Sequence, residues 1–256
     1  MQLDLAGRHV LITGASKGIG LACAQTFLQE GCSITLVGRD KARLEKAAES
    51  LGASGSVRVI AADLAQEAER IRLHQECQAV DILINNAGAI PGGGLLDMDM
   101  QAWQDAWSLK VMGYIHLTQL YLGDMKEKKS GIICNIIGQA GRTPRYDYIC
   151  GGVGNAALMA FTSAVGGRSV DWGVRVFGIN PSPTRTDRIV SLNKIRAKAQ
   201  WGDENRWSEI DSDKRPFGRL IDPQEIAAMA AFLSSPTCGY VSGTVIDVDG
   251  GIGFRG

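Results

Sequence analysis

The sequence predicts an α/β fold, a doubly wound parallel sheet in a single domain of 256 residues, and three observations carry that expectation. Short apolar runs alternate with helix-compatible segments along nearly the whole chain. The run Ile132-Ile133-Cys134-Asn135-Ile136-Ile137 is apolar on both faces, as a strand covered on both sides of a parallel sheet must be. A glycine-rich turn, Thr13-Gly14-Ala15-Ser16-Lys17-Gly18-Ile19-Gly20, joins the first apolar run to the first helical pattern.

In chain order, Val10-Leu11-Ile12 is the first strand. The first helix spans 18–29, because the apolar residues from Leu21 to Leu28 recur at helical spacing. Further strands are expected at 33–37, 57–61, 81–85, 131–137, 175–180 and 244–248. Helices are expected at 41–51, 65–77, 100–128, 152–171 and 223–234. Right-handed crossovers between parallel strands put such helices on both faces of the sheet.

The glycine turn is shaped for a phosphate-bearing ligand. Gly14 allows the tight turn, Gly18 lets the backbone approach a pyrophosphate, and Gly20 lets the helix lie close to the strand, with the helix N–H groups facing the negative charge. Three glycines in isolation also suit a turn with no ligand.

Composition narrows the partners. Lys and Arg number 27 and so do Asp and Glu, so no global field favours nucleic acid or an acidic membrane surface, and a small-molecule partner is expected. No run of eighteen uninterrupted apolar residues is present, and MQLDLAGRHV lacks a basic region followed by an apolar stretch. A cytoplasmic protein without membrane attachment is expected. The six cysteines, at 23, 32, 77, 134, 150 and 238, fall mostly in apolar element patterns and form no CxxC pair. Buried thiols in a reducing compartment are expected, with neither a disulfide frame nor a metal site.

With the glycine turn, Asp63-Leu64, Asn85-Asn86-Ala87-Gly88, the segment Asn180-Pro181-Ser182-Pro183-Thr184-Arg185-Thr186 and Val248-Asp249-Gly250-Gly251 stand in an order and at spacings that resemble the short-chain dehydrogenase/reductase family over nearly the whole chain. The resemblance implies one NAD(P)-binding Rossmann-type domain over 1–256. It implies cofactor contacts from Gly14, Ser16, Lys17, Gly18, Ile19 and Gly20. Asp63 and Leu64 would flank the adenine; Asn86, Ala87 and Gly88 would shape the strand end; Pro181, Thr184 and Thr186 would line the nicotinamide side, with Thr186 at the carboxamide. Ser182 departs from the pattern, where relatives usually carry glycine after the proline. The resemblance also implies a homotetramer or homodimer built on the helices around 100–128 and 152–171.

Charge favours NADP(H) over NAD(H). After the second strand, where a carboxylate would bond both hydroxyls of an NAD ribose, this chain has Gly38 and then Arg39. Arg39 suits a 2′-phosphate bidentately, and Lys17 in the glycine turn adds a second cation. The alternative is a solvated Arg39 beside Asp40 and a loop lysine.

The expected chemistry is not standard. Members of the resembling family carry an asparagine in the long central helix, a serine after the fifth strand, and a tyrosine and lysine spaced YxxxK at a helix start. Tyrosine acts as acid/base, lysine lowers its pKa and holds the ribose, serine polarises the substrate oxygen, and asparagine supports a relay water. Aligned without gaps, these positions are Lys110, Gly138, Gly151 and Asn155. Tyr146 and Tyr148 are followed four residues later by Cys150 and Gly152, so neither restores YxxxK. Glycine at 138 and 151 removes a hydroxyl and a phenol, and Asn155 cannot supply a positive charge, although its amide can still meet the cofactor.

Lys110 and Tyr148 are therefore the candidate catalytic residues. Lys110 brings an ammonium to the long helix as Asn155 removes one from its neighbour, and Tyr148 lies one helical turn before Gly151. Against this, a helical lysine can face solvent and a junction aromatic can simply fill space. Gly151 and Gly152 either clear a volume for a larger substrate or merely loosen a helix start.

The segment 187–217 breaks the βα rhythm and matches where relatives place a substrate loop. Trp201 and Trp207 there either line the substrate or pack the segment down. The cations Arg185, Arg188, Lys194, Arg196 and Lys198 either attract an anionic substrate or form a solvated face. The expected activity is NADP(H)-dependent hydride transfer on a carbonyl or alcohol through a non-standard acid/base set. The alternatives are a catalytically inactive nucleotide-binding partner or regulatory subunit, and a non-redox reaction on the same scaffold.

Overall fold

Seven parallel strands form the sheet of this computed structural model, which describes residues 2–52 and 55–254. They are β1 (His9–Thr13), β2 (Ser33–Gly38), β3 (Val57–Ala61), β4 (Ile82–Asn85), β5 (Gly131–Ile136), β6 (Val174–Pro181) and β7 (Val245–Val248), in spatial order β3-β2-β1-β4-β5-β6-β7. The helices are α1 (Gly18–Gln29), α2 (Lys41–Ser50), α3 (Glu67–Glu76), α4 (Met100–Leu109), α5 (Val111–Lys128), α6 (Ile149–Ser169), α7 (Asp187–Trp201) and α8 (Pro223–Ser234). This is the doubly wound, Rossmann-type α/β sheet expected from the alternation of patterns.

Strand β1 explains the layering. Val10 and Ile12 turn to one face, into a cluster with Phe27 of α1, Leu44 of α2 and Ile226 of α8. Leu11 turns to the other face, with Leu73 of α3, Leu117 and Tyr121 of α5, and Leu83 and Ile133 of the neighbouring strands. All these side chains are withdrawn from water, and burying each such apolar group stabilises the fold by about 1.5–3 kcal/mol. β1 pairs with β2 on one side, Leu11 opposite Thr35, and with β4 on the other, Leu11 opposite Leu83. The strand order therefore reverses between β1 and β4, and the crevice outside their carboxyl ends is where such sheets bind ligands.

Three departures from the expected elements bear on that crevice. The helical stretch expected at 100–128 is divided at Lys110 into α4 and α5. α6 begins at Ile149, three residues earlier than expected, with Tyr148 preceding it. The segment 187–217 opens with the fifteen-residue helix α7 and continues in short 3₁₀ turns. By length and composition the span Ile149–Trp172 could cross a membrane. It contains α6, whose Leu158, Thr162 and Ser169 are fully buried, as in a core helix of a soluble protein.

Candidate active site

The carboxyl ends of β1 and β4 are tied together by one threonine. Thr13 Oγ1 donates to the Ile84 carbonyl and accepts from the backbone N–H groups of Asn86 (2.9 Å) and Ala87 (3.0 Å). Asn86 reciprocates, its Nδ2 donating to the carbonyls of Thr13 (2.9 Å) and Gly14 (3.2 Å). The glycine turn lies against this knot. Gly14 and Gly18 have φ of +65° and +59°, which glycine adopts without strain. A Cβ on Gly20 would lie 2.7 Å from Asn86 Nδ2 and nearer still to the Gly14 carbonyl, so α1 packs on the turn only because that atom is missing.

The remaining cofactor candidates gather at the same edge. Asp63 follows β3 and accepts from the Ala65 N–H, while Leu64 is buried. Arg39 follows β2 and is exposed. Lys17 is about half exposed and lies 3.9 Å from Asp187, the first residue of α7. Thr186, the residue capping α7, rests its methyl on Gly18, 3.1 Å from where a Cβ would stand. Pro181 ends β6, and Thr184 is buried with its hydroxyl donating to the Ser182 carbonyl. Ser16 and Ile19 belong to the turn itself.

The chemical half of the site lies around the ends of β5 and α6. Lys110, at the joint between α4 and α5, donates from Nζ to the Ile137 carbonyl just beyond β5 (2.6 Å). On its way it passes over Gly88, where a Cβ would stand 2.9 Å from Lys110 Cδ, and its ammonium lies 5.8 Å from the ring centre of Tyr114. Tyr114 is fully buried, donates to the Ile136 carbonyl, and burial raises its pKa well above the usual phenol value. It is thus a neutral wall rather than a base. Lys110 faces the strand ends, which answers the question of whether it points to solvent.

Gly138 has φ +131°, a backbone conformation that L side chains rarely adopt. A Cβ there would lie 2.9 Å from Asn155 Nδ2, which donates to the Gly138 carbonyl (3.3 Å). The Gly138 N–H donates to Asn180 Oδ1, and Asn180 is held in turn by Asp247 and through it by Arg142. The ring of Tyr148 fills the volume at Gly151: a Cβ on Gly151 would be 2.7 Å from the Tyr148 hydroxyl and closer to the ring carbons. Beneath Tyr148 lies an apolar cluster of Ile90, Ala106, Cys150 and Trp107.

Fit to a dinucleotide can be tested on this geometry. The turn presents backbone without side chains at Gly14, Gly18 and Gly20, as close approach of a pyrophosphate requires. Asn155 is 3% exposed, and its Oδ1 has no hydrogen-bond partner, so a buried acceptor stands where the resemblance expects the ribose. Gln139 Oε1, next to Gly138, is a second buried acceptor without a partner. The described residues therefore fit NAD(P).

The loop expectations come out differently. Arg206 stacks on Trp201 at 4.4 Å, so that tryptophan packs its own segment. Arg185 is paired with Asp222 and Arg196 with Asp211, so these two cations form ion pairs on the surface, not an open anion attractor. The Arg188 side chain lies outside the described residues. Sequence reasoning missed Thr13 as the knot, although it begins the glycine run, and gave no role to Asn180, although it opens the segment 180–186.

Residues 8–197 match the model of the short chain dehydrogenase family. The fold superposes on the L-sorbose reductase of Gluconobacter frateurii, solved with NADPH and L-sorbose, with a TM-score of 0.91 and 31% identity over the whole of both chains. The chain is 29% identical to a 3-oxoacyl-(acyl-carrier-protein) reductase of Vibrio harveyi, over 98% of this chain and 99% of that one. It is 30% identical to a 2,3-dihydro-2,3-dihydroxybenzoate dehydrogenase of Escherichia coli K12, over 97% and 98%.

Proposed function

Because the chain belongs to the short chain dehydrogenase family, of NAD(P)-dependent oxidoreductases, we propose that it is an NADP(H)-dependent reductase or dehydrogenase of a carbonyl or alcohol substrate whose acid/base groups are Tyr148 and Lys110. The observation that carries this reading is the Tyr148 ring lying in the volume over Gly151, where relatives carry their tyrosine. Bound NADPH would supply the hydride in reduction, and NADP+ would accept it in oxidation. Everything else falls to the chain. The glycine turn holds the pyrophosphate, and Arg39 and Lys17 meet the 2′-phosphate. NADPH in the Gluconobacter neighbour supports that preference.

Reduction of a carbonyl requires one proton for the developing alkoxide, and oxidation of an alcohol requires its removal. The Tyr148 hydroxyl is the group for that transfer. The Lys110 ammonium, anchored on the Ile137 carbonyl, is the proposed counter-charge for the oxyanion that develops in the transfer. Asn155 Oδ1 accepts from a ribose hydroxyl, taking over orientation without charge. Gly138 provides no hydroxyl, so polarising the substrate oxygen falls to the Lys110 ammonium and the Tyr148 hydroxyl. Segment 187–217 is the proposed cover of the substrate; its first residue, Asp187, lies 3.9 Å from Lys17 of the glycine turn. The six free thiols, five of them buried, suit the reducing cytoplasm. The exposed Met112 of α5 and Val153 of α6 suit a homotetramer or homodimer.

The test is NADPH oxidation against a panel of ketoses, oxoesters and cyclic ketones. Tyr148→Phe and Lys110→Met should each lower kcat at least a hundredfold with NADPH affinity held within about threefold, the scale of a lost acid/base group. Unchanged turnover in both variants sinks the assignment. One observation favours a second reading, a nucleotide-binding partner subunit without dehydrogenase activity: the glycine-only conformation at Gly138, which excludes the usual serine. Tight NADPH binding with no turnover across the panel would decide for it.

A further inference from the structure

Arg70 lies on α3, outside every motif that points to the nucleotide, yet it is 5% exposed. Its donors go to carbonyls and a ring nitrogen, not to a carboxylate. Nη1 donates to the carbonyls of Leu64 (2.7 Å), Ala65 (3.1 Å) and Ser108 (3.5 Å), and Nε donates to His116 Nδ1 (3.0 Å). Leu64 is one of the two residues read above as flanking the adenine, and Ala65 follows it. Ser108 lies in the last turn of α4, two residues before Lys110, and His116 lies on α5 beyond the same joint.

A buried guanidinium is costly unless its hydrogen bonds are met, so these acceptors are held where Arg70 needs them. Burial, and then the nearby Arg70 charge, lower the His116 pKa, which keeps its Nδ1 unprotonated and able to accept. Gly113 completes the seat: a Cβ there would stand 3.5 Å from the Leu64 carbonyl and 3.7 Å from that of Ser108, so α5 already lies against both. One planar fork thus spans the loop after β3 and the joint carrying Lys110.

We propose that Arg70 is a positioning residue that holds the adenine-flanking segment and the α4–α5 joint in one register, so that nucleotide seating and the placement of Lys110 are set together. The adenine assignment rests on the cofactor reading above; the mechanical link does not.

The experiment compares wild type with Arg70→Met and Arg70→Lys. Hydrogen exchange is followed in nucleotide-free protein, and binding of adenosine 2′,5′-bisphosphate and NADPH turnover are measured alongside. In Arg70→Met, exchange should quicken in both 63–66 and 106–113 while β5 and β6 stay protected. Affinity for the bisphosphate should fall about tenfold, the scale of one lost hydrogen bond to a charged group. Arg70→Lys, which can reach one arm only, should recover most of the affinity and leave 106–113 fast. If Arg70→Met does not fold, His116→Ala releases the Nε arm, and 106–113 should quicken alone.

Uniform loosening of the whole chain, or a change confined to 63–66 in Arg70→Met, overturns the proposal. Wild type that fails to bind the bisphosphate while both segments respond would instead count against the cofactor reading and leave the link standing.

Discussion

Tyr148 and Gly151 occupy one side chain's worth of space between them: the phenol of the first stands where the Cβ of the second would begin. The two positions are therefore coupled, and a side chain cannot be placed at 151 unless the Tyr148 ring moves.

Gly151→Ala should accordingly destabilise the protein by about 1–3 kcal/mol, the usual cost of overpacking, and Tyr148→Ala in the same chain should remove most of that penalty. Urea denaturation of the four proteins of the cycle measures it. Additive effects would mean that the ring moves aside freely.

Gly138→Ser should not rebuild an active site. Serine at φ +131° costs about 1–3 kcal/mol and its Cβ displaces Asn155 Nδ2, so a lowered Tm with no gain in turnover is expected. A gain in NADPH-dependent turnover at unchanged Tm would show that the loop relaxes around the new side chain.

Arg39→Glu should exchange a phosphate partner for a ribose-hydroxyl partner. NADPH affinity is expected to fall roughly 10–100-fold, as for one or two hydrogen bonds to a charged group, while NADH affinity rises or stays. Titration of both nucleotides against both proteins checks the ratio. Equal affinity changes for the two would remove Arg39 from the 2′-position.

Acid should weaken α8 through Glu225. Paired with both Arg219 nitrogens and accepting the Asp222 N–H, its carboxyl is lowered to about 2, against about 4.3 in an unfolded chain. A depressed carboxylate contributes stability that is fully present above the unfolded value and is lost as pH falls from about 4.3 through about 2. Glu225→Gln should flatten that part of the stability–pH curve and leave the neutral arm's slope unchanged. Thermal unfolding followed from neutral pH downward makes the comparison.

Much of the scaffold was legible because local chemistry and fold agree there. Strands such as β3 and β5 coincide with their apolar runs to within a residue, and the glycine turn sits where a strand must pass directly into a helix. The break at Lys110 was not legible. Leu109-Lys110-Val111 has no glycine or proline, and Lys110 keeps right-handed helical angles, so the pattern runs through without a signal. The spacing of Tyr148 and Gly151 by one turn was visible, but a side-chain torsion decides whether the ring enters the gap. Arg70 was hidden because a charged residue among Glu67, Glu69 and Arg72 reads as a solvated face. The two readings of the cations from Arg185 to Lys198 could not be separated in sequence, since the partners of Arg185 and Arg196, Asp222 and Asp211, are distant along the chain.

The Thr13 hydroxyl, finally, separates two parts of the molecule as much as it joins two strands. Its bonds to Ile84, Asn86 and Ala87 share no group with those of Lys110, Asn155 and Gly138 to the Ile137 and Gly138 carbonyls and Asn180. The glycine turn is thereby tied to β4 through hydrogen bonds separate from those that seat Lys110, Asn155 and Gly138. Substitutions among the side chains over β5 and α6 should therefore leave the shape of the glycine turn unchanged.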